Sequence, residues 1–160
     1  MKKLISCILF VSMLSAHNSF AALAQAPEID LPGMNGRVTL EQFKGKVVYL
    51  DFWASWCKPC KKSFPWLRDL ERNMADQGFE VLAVNLDKDR ALADEFIKAM
   101  DVNFTVAFDE SGDIASEYKL KGMPSSYLID RDGKLYGSHI GFREKDKEKL
   151  EQSIRELLGK

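Results

Sequence analysis

The chain has 160 residues, 46% of them hydrophobic, with 23 basic and 24 acidic side chains and a formal net charge of −1. That composition supports a single globular domain with its own core. A near-neutral balance without a basic cluster argues against a nucleic-acid binder or a protein held by charge on anionic lipid.

The first predicted element is a leader. Lys2 and Lys3 precede an eleven-residue apolar run from Leu4 to Leu14, and Ala22-Leu23-Ala24 supplies small residues for cleavage. This is the pattern of a secretory signal peptide over 1–24, leaving a domain at 25–160 that is exported, in a bacterium to the periplasm. The run is shorter than the roughly 20 residues a membrane span needs, so stable membrane insertion is not expected and an uncleaved anchor is the alternative. Maturation removes Cys7 and shifts the net charge to −3. Both remaining thiols, Cys57 and Cys60, then belong to one short motif.

A β-hairpin is predicted from Pro27 to Thr39, turning at Gly33 to Gly36, followed by a helical turn from Leu40 to Phe43. Val47 to Trp53 is a nearly unbroken apolar run, as expected of a strand covered on both faces in a parallel sheet. Its polar member, Asp51, is costly to bury as an ion. Burial would raise its pKa toward the range where a carboxyl exchanges a proton near neutral pH. The alternative is a carboxylate turned to water or held by backbone donors. Phe52 and Trp53 read as core.

The next segment, Ser55-Trp56-Cys57-Lys58-Pro59-Cys60-Lys61, carries two thiols where the strand gives way to a helix. As a staple the pair is poor, since a four-residue loop contributes only about 2 kcal/mol. A zinc ribbon needs a second ligand pair, but past Cys60 there is no Cys and only His139. A c-type haem site needs His where Lys61 stands. Redox chemistry fits. A cysteine at the first helical turn faces unpaired N–H groups and the positive end of the helix dipole. That lowers a thiol pKa from about 8.5 to somewhere near 3.5–7.5, so Cys57 can attack disulfides at neutral pH. Cys60, one turn later on the same face, can attack the resulting mixed disulfide. Pro59 lacks only an N–H that has no helical partner there. Lys58 adds a cation beside the thiolate, or is simply solvated.

The helix is predicted from Lys58 to Gln77, with a kink at Pro65, a buried stripe of Phe64, Leu67, Leu70 and Met74, and Gly78 closing it. A strand from Glu80 to Asn85 follows; on residues alone Glu80 is a solvated strand-end side chain. Then come a helix from Ala91 to Met100, a strand from Phe104 to Phe108 and a short helix from Ile114 to Tyr118. Met123-Pro124 stands before an antiparallel pair, Ser126 to Asp130 with Lys134 to Ile140, joined by Arg131-Asp132-Gly133. Read by itself, Pro124 is an ordinary strand-initiating proline. A helix from Glu144 to Leu158 ends the chain. His139, alone in its strand, is assigned no role.

The segment from Asp51 to Lys61 resembles the active-site signature of thioredoxins, and the surrounding pattern is similar to their exported TlpA/ResA-like relatives, in the redoxin group. Two later elements carry the resemblance on: Gly78 to Asn85, and Gly122-Met123-Pro124-Ser125-Ser126-Tyr127-Leu128-Ile129-Asp130-Arg131-Asp132-Gly133. It implies an α/β thioredoxin-like fold, a central mixed sheet flanked by helices, with the N-terminal hairpin and a central strand-helix insertion as additions. It implies that Cys57 and Cys60 form a redox-active disulfide, with no metal and no cofactor. It implies that Asp51, and less directly Glu80, handles the proton of Cys60. It further implies a cis Met123-Pro124 bond that receives an extended client together with Trp56.

The partners so implied are a membrane thiol electron donor and a client protein disulfide, such as that of apocytochrome c or of copper-site cysteines. The expected activity is a periplasmic thiol-disulfide oxidoreductase that reduces such disulfides. A disulfide-introducing oxidant is the alternative, with a thioredoxin-fold peroxidase or a copper-binding module behind it. The oxidant would have a potential nearer −120 mV than −270 mV.

Overall fold

The computed structural model describes residues 23–159; nearly all of the expected leader, Cys7 included, lies outside the described residues. A seven-stranded mixed sheet runs through the domain. Its first two strands, β1 (Asp30–Gly33) and β2 (Gly36–Thr39), form the expected hairpin, with Leu31 opposite Val38. At Gly33 the chains approach so closely that a Cβ would lie 2.5 Å from Val38 Cγ2 and 2.9 Å from the carbonyl of Gly36. A 3-10 turn over Leu40–Phe43 leads into β3 (Val47–Trp53), all seven residues of which are buried.

Helix α1 (Lys58–Met74) returns the chain to β4 (Phe79–Asn85), parallel to β3. It runs on through Pro65 as α-helix and stops at Met74, with a 3-10 turn over Ala75–Gln77 completing the predicted length. Pro65 and Lys61, whose carbonyl loses its helical partner, are both exposed. Gly78 ends the turn with φ 83°, a conformation that favours glycine. Helix α2 (Arg90–Ala99) then leads to β5 (Thr105–Phe108), parallel to β4. Helix α3 (Asp113–Glu117) precedes β6 (Ser125–Ile129) and β7 (Leu135–Ile140), an antiparallel pair. The last helix, α4 (Lys147–Leu158), begins after a 3-10 turn over Glu144–Asp146.

The strand order is β2-β1-β5-β4-β3-β6-β7. The pair expected as an insertion is therefore structural, because β5 sits inside the sheet and joins the N-terminal hairpin to β4. Alternation along β3 sorts its side chains onto two cores. Val47, Tyr49 and Trp53 face α1, α2 and α4, whereas Val48, Leu50 and Phe52 face the hairpin, Tyr118 and the residues around α3. On the first face Trp53, Phe64 and Phe96 pack ring to ring at 4.7–4.9 Å between centroids. Trp53, fully buried, fixes the end of β3 just before the cysteines. The cysteines thus emerge at the carboxyl edge of the parallel strands, where α/β sheets place their sites.

Candidate active site

Cys57 and Cys60 are joined in a disulfide with Cα atoms 5.3 Å apart. Cys57 is the N-cap of α1, in extended backbone (φ −79°, ψ 102°), and its Sγ accepts the backbone N–H of Cys60 at 3.2 Å. It thereby satisfies one of the orphan donors of the first turn, and a thiolate there would sit at the positive end of seventeen residues of helix. The two sulfurs are not equivalent. Both are buried, Cys60 at 0% and Cys57 at 4% exposed, but only Cys57 lines an open groove of about 550 Å³.

The loop that presents Cys57 is fastened from the neighbouring strand. Asp87, 2% exposed, accepts the Ser55 N–H at 2.8 Å on one oxygen and the Ser55 hydroxyl at 2.9 Å on the other. Asn85 donates to the same carboxylate at 2.8 Å and accepts the Asp87 N–H at 3.0 Å. Leu86 N–H bonds the Trp53 carbonyl at 2.9 Å, and Cys57 N–H bonds Ala54 at 3.0 Å. Sequence reasoning missed Asp87. The available signal was a polar Asn-X-Asp step leaving an apolar strand that ends beside the cysteine loop.

Asp51 lies on the α1 face of β3, between Tyr49 and Trp53, and is 2% exposed. Its Oδ2 has no hydrogen-bond partner among the described residues, and burial pushes its pKa well above the ordinary carboxyl value. Directly across the sheet is Ser126, whose hydroxyl accepts that of Tyr49 at 2.9 Å.

Glu80 is not brought to this group. It pairs in register with Val48, three residues before Asp51, and shares the opposite face of β4 with Leu82 and Val84. Its carboxylate is engaged there by Lys46 at 2.8 Å and by the Thr105 hydroxyl at 3.0 Å. The expectation that it attends Cys60 is therefore corrected: one strand position decides the face, and Glu80 is on the wrong one.

The Met123-Pro124 bond is cis. Pro124 is buried, and its carbonyl accepts the Gly141 N–H at 2.7 Å. Met123 is half-buried against the same core cluster as both cysteines and lines the groove with Trp56, which is 66% exposed. Leu86, Leu120 and Pro59 complete its apolar walls. His139 belongs elsewhere: it lines the cleft between β7 and α4, with Nε2 3.4 Å from Asp146. Among the described residues no helix is long and apolar enough to cross a membrane.

A disulfide with one sulfur buried and the other at a helix N-cap, beside an apolar groove, makes an arrangement that can exchange disulfides. Comparisons with known proteins agree. The Redoxin family pattern matches residues 21–154. The thiol-disulfide oxidoreductase ResA of Bacillus thuringiensis subsp. konkukian is 36% identical over 134 residues, which is 83% of this chain and 76% of that protein. ResA of Bacillus subtilis is 33% identical over 128 residues, covering 79% and 72%. A Chlorobium tepidum crystal structure provisionally named thiol:disulfide interchange protein DsbE superposes with a TM-score of 0.84 at 50% identity, over 86% of this chain and 97% of that one.

Proposed function

We propose, on the premise that this chain belongs to the Redoxin family and is a ResA-like thiol-disulfide oxidoreductase, that it is exported and works outside the cytoplasm as a reductant of protein disulfides. The Cys57 thiolate attacks one sulfur of a client disulfide, forming a mixed disulfide and releasing the other client sulfur as a thiolate. Cys60 then attacks Cys57 Sγ, its proton passing to Asp51, and the second client thiolate leaves. Two electrons have moved to the client. The protein is left in the disulfide form and is returned to the dithiol by a membrane thiol donor.

The observation that carries this reading is the asymmetry of the two sulfurs: Cys57 Sγ at the N-cap, accepting the Cys60 N–H at 3.2 Å, and Cys60 wholly buried behind it. Attack begins at the sulfur that faces the groove and ends at the one that does not. Trp56, Met123 and Pro124 receive the client, whose extended backbone pairs with Met123. The burial of Asp51, with its Oδ2 free of hydrogen bonds among the described residues, supports its role as the group that holds a proton for Cys60. Apocytochrome c before haem attachment and the cysteines of copper-site assembly proteins are suitable clients.

The test is reduction of insulin and of a model CXXCH peptide disulfide by protein lacking residues 1–24 and supplied with electrons from a dithiol. Cys57→Ser abolishes turnover, while Cys60→Ser accumulates the mixed disulfide. Failure of the intact protein to reduce either substrate overturns the reading, and a couple near −120 mV instead of about −270 mV reverses its direction.

A further inference from the structure

One lysine lines the groove at the disulfide, and four more are helix or chain neighbours of its lining residues. Lys58 lines it, and Lys61 and Lys62 follow at i+3 and i+4 on the same face of α1. Lys119 and Lys121 are the chain neighbours of Leu120, which lines the groove across from α1. All five are exposed, and none makes an ion pair among the described residues. Elsewhere Lys44, Lys46, Lys134 and Lys147 each have a carboxylate partner within 4 Å, while Lys98, Lys145 and Lys149 share the lack of an ion pair among the described residues.

Acidic groups near the groove are engaged or turned from it. Asp87 is taken up by Ser55 and Asn85, and Asp89 caps α2 by accepting the Ala91 N–H at 3.0 Å. Asp113 and Glu117 stand two residues either side of Ala115, the α3 residue that lines the groove, and i±2 positions do not share a helix face. The whole chain is near neutral, so this excess of positive charge is local. With a Debye length of about 8 Å at physiological salt, the local groups decide what the groove attracts.

The backbone at the lysine wall supplies a second observation. Lys119 has φ 54°, in the left-handed region where glycine or asparagine is the usual choice. It closes α3: the Lys119 N–H bonds Ser116 and the Leu120 N–H bonds Ala115, which sets Leu120 into the groove with a lysine on either side. Asp101 closes α2 with φ 49° in the same way, so the left-handed residue is a helix-ending device, and here it fixes the backbone from which Lys119 and Leu120 project.

We propose that the groove selects an acidic client: an extended protein segment with a large apolar side chain beside its disulfide cysteine and Asp or Glu residues flanking it. The apolar residue fills the space between Trp56, Leu86, Leu120 and Met123, and the carboxylates meet the two lysine walls. This rests on the reading of Cys57 as the thiol that attacks clients, and it adds the client's chemistry to that reading.

The test compares three synthetic peptides with one internal disulfide and the same leucine before the first cysteine, flanked by glutamate, by serine or by lysine. Each is mixed with protein previously reduced by dithiothreitol and freed of it. Exchange leaves one peptide dithiol and one Cys57–Cys60 disulfide, so electrons balance without a further reagent. At about 20 mM salt the acidic peptide is expected to react at least about ten-fold faster than the basic one, the scale of electrostatic steering. Near 1 M salt, where the Debye length is about 3 Å, the ratio is expected to fall to near one. Lys62→Glu with Lys121→Glu inverts the low-salt ratio, and a ratio cancels any change in Cys57 reactivity. Equal rates, or faster reaction with the basic peptide, overturn the inference and leave the reductase reading standing provided the serine peptide is reduced. Failure of all three peptides, including the serine one, overturns the reductase reading and the inference with it. The salt series needs no variant, so misfolding of the double mutant cannot obscure the result.

Discussion

Asp87 holds Ser55 by two bonds at once, to its N–H at 2.8 Å and to its hydroxyl at 2.9 Å, and so ties the end of β4 to the loop two residues ahead of Cys57. Both bonds are charge-assisted and the carboxylate is buried, so truncation leaves donors on Ser55 and Asn85 unpaired. Asp87→Ala is expected to cost about 3 kcal/mol in chemical denaturation. Because Asp87 acts through the loop, kcat/KM for a peptide disulfide is also expected to fall between about ten- and a hundred-fold per folded molecule. Asp87→Asn, which keeps an acceptor for Ser55, restores part of each. A purely structural role would lower stability and leave kcat/KM and the Cys57 alkylation profile against pH unmoved.

Asp51 is another buried carboxyl, and nothing among the described residues accepts or donates at its Oδ2. Its pKa is raised in the folded protein by burial, so its favourable share of stability is full below the unfolded-state value near 4 and is lost as pH rises through the folded value. Asp51→Asn is therefore expected to be more stable than the parent at pH 8, by about 1–3 kcal/mol, with the gap closing toward pH 4. If Asp51 also holds the Cys60 proton, the same variant slows resolution of the mixed disulfide without slowing its formation. Stopped-flow reaction with a peptide disulfide separates the two steps, and an unaltered resolution rate removes Asp51 from the proton path.

The contrast between Asp51 and Glu80 shows what the sequence makes legible. The run from Val47 to Trp53, the helix stripe Phe64, Leu67, Leu70 and Met74, and the Cys-X-X-Cys step were readable because apolar pattern and spacing are local properties. Glu80 was not, because Phe79–Asn85 is apolar on both faces, and such a strand has no visible alternation to say which face a lone carboxylate occupies. Ser55 and Asp87 are 32 residues apart and meet only through the pairing of β3 with β4. The lysine walls are hidden for the same reason, since Lys58 and Leu120 share a groove only once the sheet is assembled.

Glu71 gives a pH dependence of its own. It lies on the buried side of α1, and its Oε2 accepts the Val81 N–H at 2.8 Å, just before β5 begins to pair with β4 at Leu82. Burial chiefly raises its pKa to about 7; Glu80 adds to the rise, while the Val81 bond and Lys46 oppose it. The folded value exceeds the unfolded one, so the associated stability is present below about pH 4.5 and disappears as pH passes 7. With allowance for solvent around the group, the parent is expected to lose about 1–2 kcal/mol between pH 5 and pH 8 from this site. Glu71→Gln keeps an acceptor for Val81 and removes the ionisation. Urea midpoints at the two pH values are expected to converge in this variant relative to the parent; an unchanged difference removes Glu71 as its source.

Arg131, in the turn between β6 and β7, offers a change that separates stability from redox chemistry. Its guanidinium donates to the carbonyls of Gly45 at 2.8 Å, Gln77 at 3.2 Å and Leu158 at 3.3 Å. Gln77 and Leu158 end a 3-10 turn and α4, so the fork serves carbonyls without helical partners and places a cation at two helix C-termini. The packing is close: a Cβ on Gly78 would lie 2.7 Å from Arg131 Nη1. Lysine has no fork and reaches one carbonyl at a time, so Arg131→Lys is expected to cost about 2 kcal/mol. Gly45 precedes β3 and the cysteines follow it, which puts seven residues, about 20 Å of strand, between the fork and the disulfide. The reduction potential of Cys57–Cys60 is therefore expected to stay within a few mV of the parent, on a scale where about 30 mV is a ten-fold change in the exchange equilibrium. A larger displacement would mean that the two ends of β3 are mechanically coupled and that the disulfide responds to strain across the sheet.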